Sequence, residues 1–107
     1  MIAPSDCTTM AEVRAGVDDL DRQISALIGT RFAFMDAAAR IKPERAEVRD
    51  TARKDDVLVN AHMNAVANGW PTEAAVKLWD GLVEASIAYE FDAFDAFDAL
   101  RSPSGAD

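Results

Sequence analysis

Residues 9–42 read TMAEVRAGVDDLDRQISALIGTRFAFMDAAARIK, and the spacing of their apolar side chains decides the fold. Met10, Val13, Val17, Leu20, Ile24 and Leu27 recur in steps of three and four, and Phe34 or Met35 and then Ala38 continue the row. That period keeps one face of an α-helix toward a core. Thr9 and Glu12 make a T-x-x-E capping box at the start. Pro43 and the charged stretch 42–49 end the helix in a short polar loop. Gly16 and Gly29 weaken the helix slightly without interrupting the row. A helix of about 30 residues is roughly 45 Å long, longer than a compact chain of 107 residues is wide. Such a helix calls for a partner chain to cover its apolar row.

Arg31 falls inside that row. A charge placed there must be paired or bind an anion, because an isolated buried charge is costly. Arg14 lies 17 positions earlier, about 25 Å along the helix. No small molecule reaches both from one copy. Two copies packed antiparallel set the Arg14 of one beside the Arg31 of the other, which predicts a dimer with a shared anion site.

Working outward, residues 1–8 read as an irregular lead-in. Asp50 is an N-cap for a second helix running to about Ala67, closed by Asn68 and Gly69. Pro71 and Thr72 open a third, whose row is Val76, Trp79, Val83, Ser86, Glu90, Phe94 and Phe97. The Phe-Asp-Ala triplets over 91–99 have a period of three that drifts around a helix, giving packing on one side and acidic surface on the other. Residues 101–107 form a polar tail, expected to be disordered. No segment alternates as a strand does. The expectation is one all-α domain over residues 1–107, with helices long, medium and long.

Composition narrows the function. A net charge of −8 disfavours nucleic acid, which calls for a basic stripe, and disfavours anionic membrane surfaces. A small anionic substrate is still allowed, since a local cation cluster can dominate the field inside a cleft. Cys7 is the sole cysteine, so no internal disulfide forms, and no Cys/His set has metal-ligand spacing. The N-terminus has no basic start followed by an apolar run, and nothing approaches a membrane span. A cytoplasmic location without metal or cofactor is expected.

The polar residues of the third row are Ser86 and Glu90, four apart and neighbours on one face. Their plain structural reading is a serine bonded to the preceding turn and a glutamate pairing an arginine of the apolar row. With Arg31 in an opposing row, a polar pocket is the better reading. Lys42 stands at the end of the first helix, where the dipole favours a cation, on nearly the face of Arg31. Arg53 sits in the first turn of the second helix, where the dipole favours an acid; a ligand or Asp50 could be its partner. His62 and the pairs Asp18-Asp19 and Asp55-Asp56 read as solvated surface. No serine or cysteine has an activating neighbour.

In order and spacing these residues resemble the all-helical class of chorismate mutases, closest to the branch that includes the isochorismate pyruvate lyases. The resemblance runs from Pro4 to about Phe97. It rests on Pro4-x-Asp6-Cys7-Thr8, Val13-Arg14, Val17-Asp18-x-Leu20-Asp21, Gly29-x-Arg31, Ala37-Ala38-x-Arg40-x-Lys42, Val48-Arg49-Asp50-x-x-Arg53 and Ser86-x-x-x-Glu90.

The resemblance implies an intertwined homodimer with two sites, each built mostly from one chain and completed by Arg14 of the other. Arg14 and Arg31 would each grip a substrate carboxylate as a bidentate fork. Lys42 and Glu90 would donate to the ether oxygen, Asp50 would accept from the ring hydroxyl, Arg53 would line the pocket and Ser86 would support a carboxylate. The implied activity is chorismate mutase, with isochorismate pyruvate lyase as the alternative and a non-catalytic helical dimer as a third reading. Two residues depart from many bacterial relatives. Glu90 replaces a glutamine and can donate only when protonated. Lys54 replaces an acid after the pocket arginine, and a lysine cannot accept from a ring hydroxyl. Asp50 pulls the other way, since lyase-type relatives often lack an acid there.

Overall fold

The computed structural model describes residues 2–101, and among these the regular structure is entirely helical. Three long helices follow in order: α1 (Met10–Ile41), α2 (Thr51–Asn68) and α3 (Thr72–Arg101). Single 3-10 turns form at Pro4–Asp6 and Arg45–Glu47. The chain divides into two compact units, the first ending at Phe34 and the second beginning at Met35.

In the first unit, the expected capping box starts α1. Glu12 N donates to Thr9 Oγ1 at 3.2 Å, and Thr9 N donates back to Glu12 Oε1 at 3.1 Å. The backbone N–H of Thr8 also donates to Glu12 Oε1, at 3.2 Å, and with the Thr9 and Thr8 hydroxyls it holds this carboxyl below its usual range. The 3-10 turn at Pro4–Asp6 gives the lead-in more order than the sequence implied. The apolar row of α1 is open: Val17 is 50% exposed, Ile24 51% and Leu27 70%. A run of that size on a helix face marks an interaction surface.

In the second unit, α2 packs on α3. Small residues line the approach, with Ala61 and Ala65 of α2 and Ala75 of α3 all buried. Asp50 is the N-cap of α2, its Oδ1 accepting from Arg53 N at 3.0 Å. Gly69 ends α2 with φ at 74°, a left-handed residue whose N–H donates to Ala65 O at 2.8 Å, as helix C-termini favour. Trp70 and Trp79 meet across this corner with ring centroids 6.5 Å apart.

A second cluster lies toward the other end of α3. Ala39, Val48 and Phe94 are buried there, with Ile87, Phe91, Ala93 and Phe97 packed against them. The Phe-Asp-Ala repeat therefore sorts as expected, with Phe94 buried, Phe91 and Phe97 half-buried and Asp92, Asp95 and Asp98 exposed. The short polar loop after α1 is anchored to α3. Val48 is buried, Arg45 Nε donates to Asp95 Oδ1 at 2.8 Å, and the Arg45 guanidinium lies 4.5 Å from the centre of the Phe91 ring. The Tyr89 hydroxyl donates to both Asp36 oxygens, at 2.9 and 3.0 Å, which ties α3 to the last turns of α1.

Arg101 corrects the expected tail boundary. It is the last residue of α3, and its Nη1 donates to Arg40 O at 3.1 Å, satisfying a carbonyl at the end of α1. The remainder of the expected tail, 102–107, lies outside the described residues.

Candidate active site

The third helix presents its polar pair inward. Ser86 is 3% exposed and Glu90 4%, one helical turn apart on the face that also buries Val83 and Phe94. Apolar neighbours on both sides make this face face a core, so a carboxylate there needs a partner. It has one: Lys42 Nζ donates to Glu90 Oε2 at 2.7 Å. Lys42 follows the last residue of α1, where its own N–H continues the helical pattern to Ala38 O at 2.9 Å. The helix end thus aims a cation at the carboxylate from outside, and the Lys42 side chain keeps 29% of its surface open against 5% for Glu90.

This geometry has a defined chemical capacity. An ammonium with three donors meets a buried carboxyl beside an apolar core. Any oxygen that develops negative charge there meets a cation in a partly dry setting, where electrostatic stabilisation is strongest. Ser86 Oγ is turned back to Leu82 O at 2.7 Å, the plain structural reading for a helical serine.

Asp50 and Arg53 stand together in the first turn of α2. The Asp50 carboxylate takes the backbone N–H of Arg53 and not its guanidinium, so of the two partners open to Arg53, a ligand or Asp50, the Asp50 side-chain pair does not form. The turn is instead anchored through its neighbours. Arg49 Nη2 and Nη1 donate to Glu84 Oε1 and Oε2 at 2.8 and 3.1 Å, and Lys54 Nζ donates to Glu84 Oε2 at 2.8 Å and lies 2.9 Å from Asp80 Oδ1. The Arg49 fork and then Lys54 hold the Glu84 carboxyl at about 2, well below its ordinary 4.5. The same bonds raise Arg49 and Lys54 above their usual values. Lys54, the residue that departs from the acid of many relatives, is therefore committed to α3.

The structure thus brings Lys42, Ser86 and Glu90 together in the second unit, with Asp50 and Arg53 at the start of α2 in that unit. Arg14 and Arg31 belong to the first unit, where Arg14 is exposed and Arg31 half-buried. Glu84 was not singled out from sequence. The available signals were the Asp80 and Glu84 spacing of four on one face of α3 and the two cations that bracket Asp50 and Arg53.

A model of the chorismate mutase type II family matches residues 13–91, which contain every candidate site residue. The chain is 32% identical over 69 residues to the isochorismate pyruvate lyase of Pseudomonas aeruginosa, an alignment that spans 64% of this chain and 68% of that protein. Helical architecture, the paired Lys42 and Glu90 and the sequence match agree. The chain belongs to the chorismate mutase type II family.

Proposed function

We propose that the protein is a chorismate mutase that works as an intertwined homodimer, rearranging chorismate to prephenate in a pocket shared between two chains. The observation that carries the reading is the Lys42–Glu90 contact of 2.7 Å, set on a carboxylate side chain that is only 5% exposed. The reaction is a single pericyclic step: the ether C–O bond breaks as the new C–C bond forms, and no proton or electron enters or leaves. It needs no nucleophile, metal or cofactor. It needs the dianion folded into its reactive shape and a partner for the charge that grows on the ether oxygen.

Each residue has a place in that scheme. Arg31 of one chain and Arg14 of the other fork the two carboxylates. Lys42 stabilises the ether oxygen, and Glu90, when protonated, donates to it as well. Asp50 uses one oxygen to cap α2, which leaves the other for the ring hydroxyl. Arg53 lines the pocket, and Ser86 supports a carboxylate from the buried face of α3 once its hydroxyl rotates away from Leu82 O. The open apolar row of α1 is the surface that a second copy covers, which supports the dimer.

Isochorismate pyruvate lyase activity is the second reading. The match to the Pseudomonas aeruginosa lyase favours it, as does the absence of an acid at position 54. The same pocket can run both reactions, since isochorismate, with its hydroxyl moved, can transfer a hydrogen and release pyruvate.

The test is kcat/KM on chorismate and on isochorismate, side by side at one mildly acidic pH. Preference for chorismate with prephenate formed supports the mutase. Preference for isochorismate with salicylate and pyruvate released replaces it with the lyase and reduces Asp50 to a helix cap. Loss of turnover in Arg31→Ala with the oligomer intact separates catalysis from mere scaffolding.

A further inference from the structure

The first turn of α2 carries Asp50 and Arg53, and a cation tied to α3 stands on either side of it. Arg49 immediately precedes Asp50 and forks Glu84 with two parallel N–H donors, at 2.8 and 3.1 Å. Lys54 immediately follows Arg53 and donates to the same carboxylate at 2.8 Å. One side chain on α3 therefore receives three charge-assisted bonds from both ends of a six-residue stretch, 49–54. Glu84 lies two positions before Ser86 and six before Glu90 on the same helix.

We propose that Glu84 is a positioning residue, fixing the 49–54 turn against α3 so that Asp50 and Arg53 address the same substrate as Ser86 and Glu90. This role rests on the reading of the site given under Proposed function.

Two further observations support it. First, the network is built in the open: the side chains of Arg49 and Glu84 are 46% and 42% exposed. Ion pairs in such settings add little to folding stability, whereas a fork with a third donor fixes direction well. Secondly, the turn gathers Arg49, Arg53 and Lys54 at the positive end of a helix, where cations repel one another and the dipole. Glu84 and Asp80 neutralise Arg49 and Lys54. Among the described residues no carboxylate pairs with the Arg53 guanidinium. The α3 carboxylates thus engage the two flanking cations and leave the central one for an anionic ligand.

Glu84→Gln keeps the side chain's size and removes its charge. Backbone amide exchange over 49–54 is expected to speed up several-fold, with the α2–α3 core unchanged. The kcat/KM on the better of chorismate and isochorismate is expected to fall by about tenfold, mostly through KM. In an Arg53→Ala background most of that loss disappears, because orienting a missing guanidinium has no effect. Unchanged exchange in Glu84→Gln overturns the role while leaving the functional reading intact. Equal losses with and without Arg53 also overturn it, in favour of a general packing effect. Wild-type protein that turns over neither substrate removes the functional reading and the role built on it together, while the exchange data still report whether Glu84 holds the turn.

Discussion

Glu90 is the residue on which the chemistry turns. It accepts from Lys42 in this structure, yet it can donate to a substrate oxygen only with a proton on board. Glu90→Gln keeps a donor of the same size at that position, so its kcat/KM on the preferred substrate is expected to stay near or above wild type, whereas Glu90→Ala is expected to lose about tenfold or more. Equal losses in the two variants would refute the assignment. Glu84 gives a pH signature, in stability. Its carboxyl is lowered from 4.5 to about 2 by Arg49 and Lys54, so the folded state favours the ionised form. A depressed carboxylate contributes stability that is fully present above the unfolded value and lost as pH falls through the folded one. Urea midpoints of wild type and Glu84→Gln are therefore expected to differ by a small constant gap above about pH 5, small because the pair is solvent-exposed, and to converge toward pH 2.

Which residues were legible in the sequence follows from how far their partners lie along the chain. The Thr9–Glu12 box and the Asp50 cap are local, closed by residues three apart, and spacing alone reveals them. Ser86 and Glu90 stood out as polar positions in an apolar row. Their environment could be anticipated, but the pairing of Glu90 with Lys42, 48 residues away, came through family resemblance. Glu84 stayed hidden because its partners are 30 and 35 residues distant and it lies off the apolar row. On a helix surface an acid bonded to distant cations looks like any solvated acid.

Among the elements, α2 and α3 show what small residues accomplish. Ala65 and Ala75 are completely buried, so the helices approach closely with no room for longer side chains. Ala65→Leu is expected to destabilise the fold by about 1–3 kcal/mol through overpacking, read as a lowered urea midpoint with an unchanged slope. The helical periods and both ends of α2 were readable because hydrophobic spacing, caps and Gly69 all point the same way. The sequence shows the stretch 42–49 as a short polar loop but leaves its ordering open, because its charge obscures one apolar residue. Val48 is 3% exposed and anchors that segment beside Phe94, while Arg45 lies against Phe91. A single buried valine among charged neighbours produces no period to detect.

At the scale of the whole molecule, the open row of α1 is the decisive surface. If the proposed dimer forms through it, placing a charge there by Ile24→Glu is expected to break that dimer, observable as a halved mass in sedimentation or light scattering at micromolar protein. A monomer that forms without loss of turnover would argue against a shared site. Arginine sharing can be examined directly by mixing. Arg14→Ala and Arg31→Ala should each be nearly inactive alone. Refolded together in equal amounts, half of the dimers are mixed and each holds one complete site, so about a quarter of wild-type activity should return. No recovery with mixed dimers present places both arginines in one chain's site. The proposal of an antiparallel pair rests on Arg14 and Arg31, because 17 positions on one helix exceed the reach of a small dianion.

The corner between α2 and α3 also equips the protein with an optical reporter. Trp70 and Trp79 are the chain's only tryptophans and face each other at 6.5 Å with their ring planes inclined by 51°. Tryptophan emission therefore monitors that corner, whereas far-ultraviolet dichroism weighs every helix by its length. Melting followed by both signals separates two events that a single trace merges. Coincident curves mean that the α1 row and the α2–α3 pair come apart as one cooperative unit. A dichroism loss that precedes the change in emission, and moves with protein concentration, identifies separation of the proposed dimer as the first step of unfolding.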